Sequence, residues 1–386
     1  ITSLAFAPTT NELFSAAGKE IRCWSCAPGY PLQYTLNTDH TAPVSSIALA
    51  SDLSFMISAS LDGIMRLWLF TMKDAATRSS GGGTKYQRDY GIDDATSGFA
   101  SMDATSFGGA SSNSGSNRGV KSKSLTSAPP AVTLELRGHL GDITCTACTQ
   151  NGNMFASGGI DQSIMMWEPK KGKHIGMIRS HEGAISALKF SSDGRLLISA
   201  SLDRTCKVFN VSNGALVLSL SHCSRVTHVD ISTDASALIT GTIDGSIRLW
   251  NWLGREGSTS NGNVPRRTNL FRKTYDKVDA EIDEPSTSVV HQGRVLASCH
   301  LDVEGVGSCF VTGGEDGAVR VLNAKDWKLV EDIQPLQSAK NDKTSIQHSA
   351  ITAMCAVQSE SSVYFGKADG ALTSWDFITN ALTWPN

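Results

Sequence analysis

The sequence lacks the features that mark a secreted or membrane-spanning chain. No apolar run approaches the length of a transmembrane helix, and the first residues have no basic segment followed by a long apolar stretch. We therefore expect no membrane span and no signal peptide. An initiator Met is also missing, which predicts a fragment or a processed chain. The 9 Cys, an odd number scattered over 386 residues, do not resemble the framework of a disulfide-rich domain, so we expect an intracellular protein of the cytoplasm or nucleus.

A strong charge of one sign is missing as well. The chain has 34 basic and 37 acidic residues, which gives no global electrostatic reason to bind DNA or an anionic membrane. Two Cys-x-x-Cys pairs have the spacing of half a zinc site, Cys23 with Cys26 and Cys145 with Cys148. Both pairs lie in or beside predicted strands, where residues three apart point to opposite faces. We therefore predict no metal and no cofactor.

What the sequence does contain is an internal repeat. Six segments carry an Asp six residues before a bulky residue, and a His precedes each Asp by 21 to 25 residues. The three sets of markers are His40, His139, His181, His222, His291 and His348; Asp62, Asp161, Asp203, Asp244, Asp316 and Asp369; and Trp68, Trp167, Phe209, Trp250, Leu322 and Trp375. A weaker first copy has Gly18 in place of the Asp and ends at Trp24.

Each repeat is predicted to form four short strands. In the fourth copy, apolar runs of about five residues begin near Ala184, Leu196, Thr205 and Leu216, and Gly, Asp and Asn residues separate them. No segment shows helical periodicity over three turns. The sequence therefore predicts an all-β fold.

The repeat resembles the WD-repeat family. Gly138 followed by His139, the six Asp markers and the recurring Trp carry this resemblance. It implies a seven-bladed WD40 β-propeller with four antiparallel strands per blade. The expected blades are approximately 1–36, 37–136, 137–178, 179–220, 221–290, 291–334 and 335–386.

The resemblance also implies a hydrogen-bonded chain of His, Ser or Thr, Asp and Trp within a blade. On the markers present, blades 2, 3, 5 and 7 are expected to hold the full chain. Blades 1, 4 and 6 are not, because Gly18, Phe209 and Leu322 replace a required residue.

Ring closure is expected to depart from the family. The family's last blade usually takes a strand from the opposite terminus, whereas this chain opens in the inner strand of blade 1 and supplies an outer strand of blade 7 at 381–384. Two explanations remain open: upstream residues are missing, or closure depends on packing between blades 1 and 7.

Two insertions interrupt the repeats. Residues 72–131 are rich in Gly and Ser, so we expect a disordered segment, with a regulatory or partner-binding arm as the alternative. Residues 253–285 change from basic to acidic along the chain, so we expect a solvated charged loop. The alternative is that its basic part contacts RNA. Both insertions follow a third strand if the fourth strands are 132–136 and 286–290, which predicts that they lie on the rim opposite the His and Asp turns.

No catalytic arrangement stands out from the repeat. A His–Asp pair that recurs in six blades indicates a structural role, because an active site needs one local cluster. The remaining His174, His228 and His300 do not recur, and His300 with Asp302 is expected to form a surface pair at a strand end. We therefore predict a protein that is not an enzyme, while a propeller enzyme with an unrecognised site remains an alternative.

The favoured function is a protein–protein interaction scaffold or adaptor, monomeric within a larger complex. The face that carries the His and Asp turns is the predicted contact face. Its candidate partner-binding residues are Leu61, Ile160, Leu202, Ile243 and Glu315 before the Asp markers, and Leu140, Glu182, Arg225 and Arg294 near the His markers. The alternative is an RNA-associated ribosome-assembly subunit, because the first two blades and His40 to Val44 loosely resemble nucleolar WD proteins.

Overall fold

Seven four-stranded antiparallel sheets form the described part of the chain. The computed structural model describes residues 1–27, 29–70, 130–251, 286–289, 291–303, 305–325, 328–333, 349–377, 379 and 381–383. The first strands of the seven sheets contact one another in cyclic order, and the first sheet meets the last. The predicted all-β, seven-bladed propeller is therefore confirmed.

Each blade consists of four strands that are consecutive in the chain. Blades 1 to 4 contain β1 Ser3–Ala7, β2 Glu12–Ala17, β3 Glu20–Ser25, β4 Leu32–Asn37; β5 Val44–Leu49, β6 Phe55–Ser60, β7 Ile64–Leu69, β8 Ala131–Arg137; β9 Ile143–Cys148, β10 Phe155–Gly159, β11 Ile164–Glu168, β12 Lys173–Ile178; β13 Ile185–Phe190, β14 Leu196–Ser201, β15 Thr205–Asn210 and β16 Leu216–Ser221. Blades 5 to 7 contain β17 Val226–Ile231, β18 Ala237–Thr242, β19 Ser246–Asn251, β20 Ser286–Val289; β21 Val295–Val303, β22 Gly307–Gly314, β23 Val319–Asn323, β24 Leu329–Ile333; β25 Ile351–Val357, β26 Ser362–Lys367, β27 Leu372–Asp376 and β28 Ala381–Thr383.

The predicted fourth strands of blades 2 and 5 are confirmed by β8 and β20, and the predicted outer strand of blade 7 by β28. The blade limits drawn from the sequence stay predictions. Nearly all of the insertion 72–131 and the whole of 253–285 lie outside the described residues. Two single-turn 3₁₀ helices occupy Pro169–Lys171 and Gln358–Glu360. None of the helices in the described ranges has the length and hydropathy needed to cross a membrane.

Burial changes from the second strand of a blade to the fourth. Every residue of β6, β14 and β18 is buried, whereas β4, β12 and β16 are mostly exposed or half-buried. Continuous burial therefore marks second strands, built from apolar and small residues, that neighbouring blades cover on both faces. Between blades 4 and 5, for example, Ile198 and Val208 belong to the same buried cluster as Val229 and Leu238.

A β-bulge near the start of the inner strand directs one side chain toward the next blade. The register shifts between Val44 and Ser46, and the bulged Ser45 donates its hydroxyl hydrogen bond to the Ile143 carbonyl of blade 3 at 2.5 Å. Equivalent hydroxyls bridge other neighbouring blades in the same way: Thr2 to Val44, Thr144 to Ile185, Ser186 to Val226, Thr227 to Val295 and Thr352 to Ile1. These bonds tie six of the seven blade junctions in the described residues.

The junctions also share a steric fit. A Cβ atom at Gly158, Gly241, Gly313 or Gly366 would lie 2.5–2.7 Å from a β-branched side chain of the next blade. Those side chains are Ile185, Val295, Ile351 and Ile1. A larger residue at these glycines would therefore push neighbouring blades apart.

Blades 1 and 7 meet through side chains and through the main chain of Ile1, whose nitrogen donates to the Lys367 carbonyl at 3.1 Å. Asn11 donates to Glu360 at 3.1 Å, and the Tyr30 hydroxyl lies 3.2 Å from the Ser374 hydroxyl. Leu4 and Tyr364 are buried in one cluster at this junction. Each of the two sheets contains only its own consecutive strands, so packing between blades 1 and 7 joins them in the described residues.

Candidate functional site

Blade 3 contains the complete hydrogen-bonded chain. His139 Nδ1 lies 3.0 Å from Asp161 Oδ2, and His139 Nε2 lies 2.7 Å from the Ser157 hydroxyl. The Trp167 indole N–H donates to the same hydroxyl at 2.9 Å. Asp161 also accepts the backbone N–H of Leu140 at 3.0 Å, so the chain links the His turn, the Asp turn and two strands.

Blade 2 contains the same arrangement. His40 bridges Asp62 at 3.1 Å and the Ser58 hydroxyl at 3.0 Å, and Trp68 donates to Ser58 at 3.0 Å. The backbone N–H of Thr41 donates to Asp62 at 2.9 Å. The prediction of a full chain is therefore confirmed for blades 2 and 3.

Blades 4 and 6 contain the chain without its indole. In blade 4, His181 joins Asp203 at 2.7 Å and Ser199 at 2.6 Å, and the Phe209 ring packs edge-on against the imidazole. In blade 6, His291 bridges Asp316 and Thr312, and Leu322 fills the Trp position. The expected truncation of these two chains is confirmed.

Blade 5 contradicts the prediction. His222 Nε2 lies 2.7 Å from the Thr240 hydroxyl, and Trp250 donates to that hydroxyl at 3.0 Å, as in blade 3. His222 Nδ1, however, has no hydrogen-bond partner among the described residues. Asp244 is exposed and lies 2.5 Å from the Thr242 hydroxyl instead. The expected full chain in blade 5 is wrong, because Asp244 bonds Thr242 and not His222.

Blade 7 was also expected to hold the full chain, and this expectation is wrong for its hydroxyl. Phe365 occupies the position of the marker Ser or Thr, so blade 7 has no central hydroxyl there. His348 lies outside the described residues. Asp369 lies in the turn before β27, and Trp375 lies within β27. In blade 1, which was not expected to hold the chain, Trp24 donates to Ser15 at 2.9 Å.

The marker His side chains of blades 2 to 6 are buried, and burial favours the neutral ring in three of them. Burial lowers the pKa of His40 and His181 although an Asp carboxylate opposes the shift in each case. Burial, reinforced by the positive charge of Arg248, lowers the pKa of His222 to about 4. The His–Asp pairs lie in separate blades and cannot converge on one reacting atom. We therefore assign them a structural role, which is to hold the His turn and the Asp turn of a blade together.

A further hydrogen bond holds each Asp turn against a His turn. The residue before the marker Asp donates its backbone N–H to the residue before the inner strand of the same blade. These bonds run from Leu61 to Pro43, Ile160 to Asp142, Leu202 to Ala184, Ile243 to Arg225, Glu315 to Arg294 and Ala368 to Ala350, at 2.8–3.1 Å. The two predicted groups of partner-binding residues therefore lie side by side on one face.

We call this surface the turn face and define it by the nine candidate residues. Its exposed apolar members belong to blades 2 to 4: Leu140 by 85%, Ile160 by 49%, Leu61 by 39% and Leu202 by 38%. Gly141 lets Ile160 approach closely, because a Cβ at Gly141 would lie 2.8 Å from Ile160 Cγ1. Exposed apolar side chains that are grouped on one face, and not scattered singly, mark candidate protein-binding surfaces.

Apart from Ile243, the rest of the turn face is polar. Glu182, Arg225, Arg294 and Glu315 are exposed, and Ile243 is half-buried. Arg294 and Glu315 are in contact, because the Glu315 carboxylate accepts a hydrogen bond from the Arg294 backbone N–H at 3.2 Å. The turn face therefore changes from apolar to charged between blades 2 and 6.

No metal site is evident within the described ranges. All 9 Cys are free thiols, and among the described residues no group of three or more His, Cys, Asp or Glu side chains has a geometry that holds a metal ion. Burial raises the pKa of Cys145 and Cys148 to about 12, so both thiols stay protonated.

The structure corrects the prediction for His300. Its residue is only 7% exposed, and its ring lies inside the propeller beside Ser308, 2.6 Å from Nε2 to the hydroxyl. The predicted surface pair with Asp302 is therefore wrong, although Nε2 lies 3.6 Å from that carboxylate. Only the tertiary structure places inner-strand residues from different blades around a common channel, so no local pattern in the sequence predicts this environment.

The comparisons identify the repeats. The family model described as WD domain, G-beta repeat matches residues 31–68, 131–168, 172–210 and 214–251. Each matched segment begins in or just before the outer strand of one blade and ends with the third strand of the next. One sequence repeat therefore spans two blades, and the four matches confirm WD40 repeats in this chain.

Curated relatives align over different shares of their length. A guanine nucleotide-binding protein subunit beta from Arabidopsis thaliana is 25% identical over 269 residues, covering 62% of this chain and 68% of the relative. The small ribosomal subunit protein RACK1y from Oryza sativa is 28% identical over 324 residues, covering 67% and 94%. A periodic tryptophan protein 2 homolog from Neurospora crassa is 29% identical over 110 residues, covering 28% of this chain but only 12% of the relative.

Proposed function

We propose that this chain, a WD40-repeat β-propeller, is a non-catalytic adaptor that binds a protein partner through the turn face. The observation that carries the proposal is the group of exposed apolar side chains on blades 2 to 4, with Leu140 exposed by 85%. Hydrogen bonds fix the turns beneath them, so binding would cost little ordering entropy.

The names of two relatives support the assignment to a complex. One relative is a subunit of a guanine nucleotide-binding protein, and another is a protein of the small ribosomal subunit. We infer an equivalent role as a subunit inside the cell, in the cytoplasm or nucleus, where the free thiols would remain reduced.

Charged substitutions on the turn face test this function. Tagged full chain and its Leu140→Glu, Leu61→Glu and Leu202→Glu variants are used for affinity purification from native extract. We expect Leu140→Glu to lose a partner that the wild type retains, because a buried carboxylate at the contact is costly. Leu329→Glu is the matched control, since Leu329 is 51% exposed on the outer strand β24, away from the turn face.

The control decides the outcome. If all four variants retain the same proteins, or if Leu329→Glu loses the same partner, the turn face is not the contact surface. Circular dichroism and an unfolding curve establish that each variant is folded before its partners are compared. A version without 72–131 tests separately whether the insertion contributes.

A second proposal is an RNA-associated role, favoured by the relative that is named a small ribosomal subunit protein. The candidate contact is the loop 253–285, which contains Arg266, Arg267, Arg272, Lys273 and Lys277 and lies outside the described residues. RNA binding that weakens steeply with salt, and that Arg266→Glu with Arg267→Glu abolishes, would support this role. Binding that is absent at low salt would contradict it.

A further inference from the structure

The outer strand of blade 3 lacks a side chain that the outer strands of four other blades have. In each of these five blades the register between the third and fourth strands shifts at the marker Trp position, so the outer residue paired just before the shift is equivalent in all of them. The equivalent residues in blades 1, 2, 3, 4 and 6 are Tyr34, Leu134, Gly176, Leu218 and Glu331. Blade 3 therefore has a gap where the others have a side chain.

This gap faces blade 4. Gly176 pairs with Met166, and Ile178 pairs with Ile164 on the same side of the sheet. Met166 and Ile164 belong to the buried cluster between blades 3 and 4. A Cβ at Gly176 would have no atom within 4 Å, so open space lies beside it. At the junction of blades 4 and 5, by contrast, Leu218 packs against the buried cluster.

A groove of about 930 Å³ lies beside Gly176, between β12 and blade 4. Met154, Ile178 and Val211 line it and are half-buried, so part of their apolar surface is open to solvent. These three side chains pack on the buried cluster between the two blades, and blade 4 adds Arg195 to the lining. The groove therefore offers accessible apolar surface next to the edge of a sheet.

The strand beside the groove has a free edge. β12 is the outermost strand of its sheet, and among the described residues no backbone hydrogen bond links Lys173–Ile178 to a neighbouring blade. Its outward N–H and C=O groups can therefore pair with an added strand. In an antiparallel pair, the residue opposite Gly176 would point into the groove, because directly paired residues share a face. An aromatic side chain at that point would cover the glycine.

The charges around the groove favour an acidic partner. From 169 to 180 the chain contains no acidic residue and four basic ones, which are Lys170, Lys171, Lys173 and Arg179. Lys171 pairs with Glu168, and the described residues show no ion pair for the other three. Arg195 is the one charged residue in the described lining, and its side chain is 72% exposed. The edge of blade 3 is therefore basic.

We propose that β12 binds an extended acidic peptide of a protein partner by strand addition, with an apolar side chain of the peptide beside Gly176. The peptide backbone pairs with the free edge, and its apolar side chain takes the place that Leu218 has in blade 4. Its carboxylates complement the basic residues around β12. A second copy of this chain would bring two basic edges together, which is unfavourable.

Fluorescence anisotropy of a labelled peptide of sequence EDVTFTVED, titrated with the full chain, tests the proposal. The peptide is acidic at both ends, and its Val and Phe side chains alternate with Thr, so they share one face of a strand. We expect saturable binding that weakens as the salt concentration rises. The peptide KKVTFTVKK should not bind, and EDVTGTVED should bind about tenfold more weakly, because it has no side chain to fill the groove. Hydrogen exchange of the β12 amides should slow when EDVTFTVED binds.

Gly176→Val fills the groove from the protein side. It should weaken binding of EDVTFTVED about tenfold, because the Val side chain takes the space of the Phe ring. The variant should fold, since the space beside Gly176 is open and Val favours strands. Thr35→Val is the matched control, because it adds the same type of side chain at an exposed position of β4, the outer strand of blade 1. It should bind like the wild type, whereas Lys173→Glu with Arg179→Glu should weaken binding and reduce its salt dependence.

Three results would overturn the proposal. They are the absence of saturable binding of EDVTFTVED, unchanged binding by Gly176→Val, and unchanged exchange of the β12 amides in the complex. Sedimentation of the full chain alone tests the rival occupant. A dimer that Gly176→Val dissociates would show that β12 pairs with a second copy, and the assignment to an acidic peptide would then be wrong.

This groove is separate from the turn face. Met154 and Arg195 lie in turns between the first and second strands of their blades, at the end opposite the His and Asp turns. Leu140→Glu should therefore bind EDVTFTVED like the wild type, and Gly176→Val should retain the partners of the turn face. Each surface can thus fail its test without the other.

Discussion

Blades 3 and 5 have the same four marker types at the same spacing, yet only blade 3 completes its hydrogen-bonded chain. His139 and His222 each precede their Asp by 22 residues, and both contact a hydroxyl that also accepts an indole N–H. His139 reaches its Asp at 3.0 Å, whereas His222 Nδ1 has no partner in the described residues. The 22-residue spacing between His and Asp therefore places both residues in equivalent turns, but it does not ensure that they form a hydrogen bond.

The residue two positions before the Asp accounts for the difference. In blade 3 it is Gly159, where a Cβ would lie 3.0 Å from Asp161 Oδ1 and 3.1 Å from His139 Nδ1. In blade 5 it is Thr242, whose hydroxyl lies 2.5 Å from Asp244 Oδ1. This hydroxyl gives Asp244 a local partner in place of His222.

Serine at this position is compatible with the complete contact. Ser60 and Ser201 turn their hydroxyls to the carbonyls of Ala42 and Gly183, at 2.9 and 3.1 Å. Their blades keep the His–Asp bond. The additional methyl group of Thr242 is therefore the distinguishing feature, since a β-branched side chain has fewer rotamers available.

The largest expected difference between the two blades concerns the Asp itself. Asp161→Ala should lower the free energy of unfolding by about 4 kcal/mol, because it removes bonds from His139 and from the Leu140 N–H and leaves a buried ring unpaired. Asp244→Ala should cost about 1 kcal/mol, because Asp244 is exposed. Urea unfolding of both variants measures the difference, and equal losses would contradict the assigned roles.

Acid should weaken the protein through its buried His residues. The pKa of His222 is about 4 in the folded chain and about 6.5 when unfolded, so the unfolded state binds more protons as the pH falls from 6.5 to 4. Stability should therefore decrease over that window, by about 3 kcal/mol from His222 alone. His222→Gln should reduce the pH dependence, measured by urea unfolding at a series of pH values.

The wild type and His222→Gln should have parallel profiles of unfolding free energy against pH above pH 7, because His222 is neutral there in both the folded and the unfolded state. Part of the acid dependence should remain in His222→Gln, because burial also lowers the pKa of His40, His181 and His300. A variant that follows the wild-type profile throughout would show that His222 does not have the depressed pKa.

The smallest expected effect comes from exchanging serine and threonine at the competing position. Thr242→Ser should let Asp244 return to His222, which raises the His222 pKa and adds about 1 kcal/mol of stability. Ser201→Thr should do the reverse in blade 4 by drawing Asp203 away from His181. Proton NMR titration of the two rings measures the pKa shifts, and unchanged values would exclude threonine as the cause.

Much of the fold follows from local pattern. The His and Asp spacing, the short apolar runs and the turn residues predict the number of blades and the four strands in each, including β8, β20 and β28. The nine partner-binding candidates also lie on one face, because the sequence places them in equivalent turns. Whether that face binds a partner stays a prediction.

Other features depended on contacts between residues far apart in the chain. No local signal distinguishes Ser45, whose hydroxyl bridges to Ile143, from an ordinary strand serine. His300 was expected at the surface because Asp302 lies two positions after it, and only the closed ring places it beside Asp230.

By itself, the sequence determined seven similar β-modules and the positions of their polar markers, because strand and turn preferences act over a few residues. The tertiary structure decided which markers bond, how the blades join and what surrounds the channel. These outcomes depend on distances of a few ångströms between blades, and a single methyl group on Thr242 or a missing Cβ at Gly158 is enough to change them.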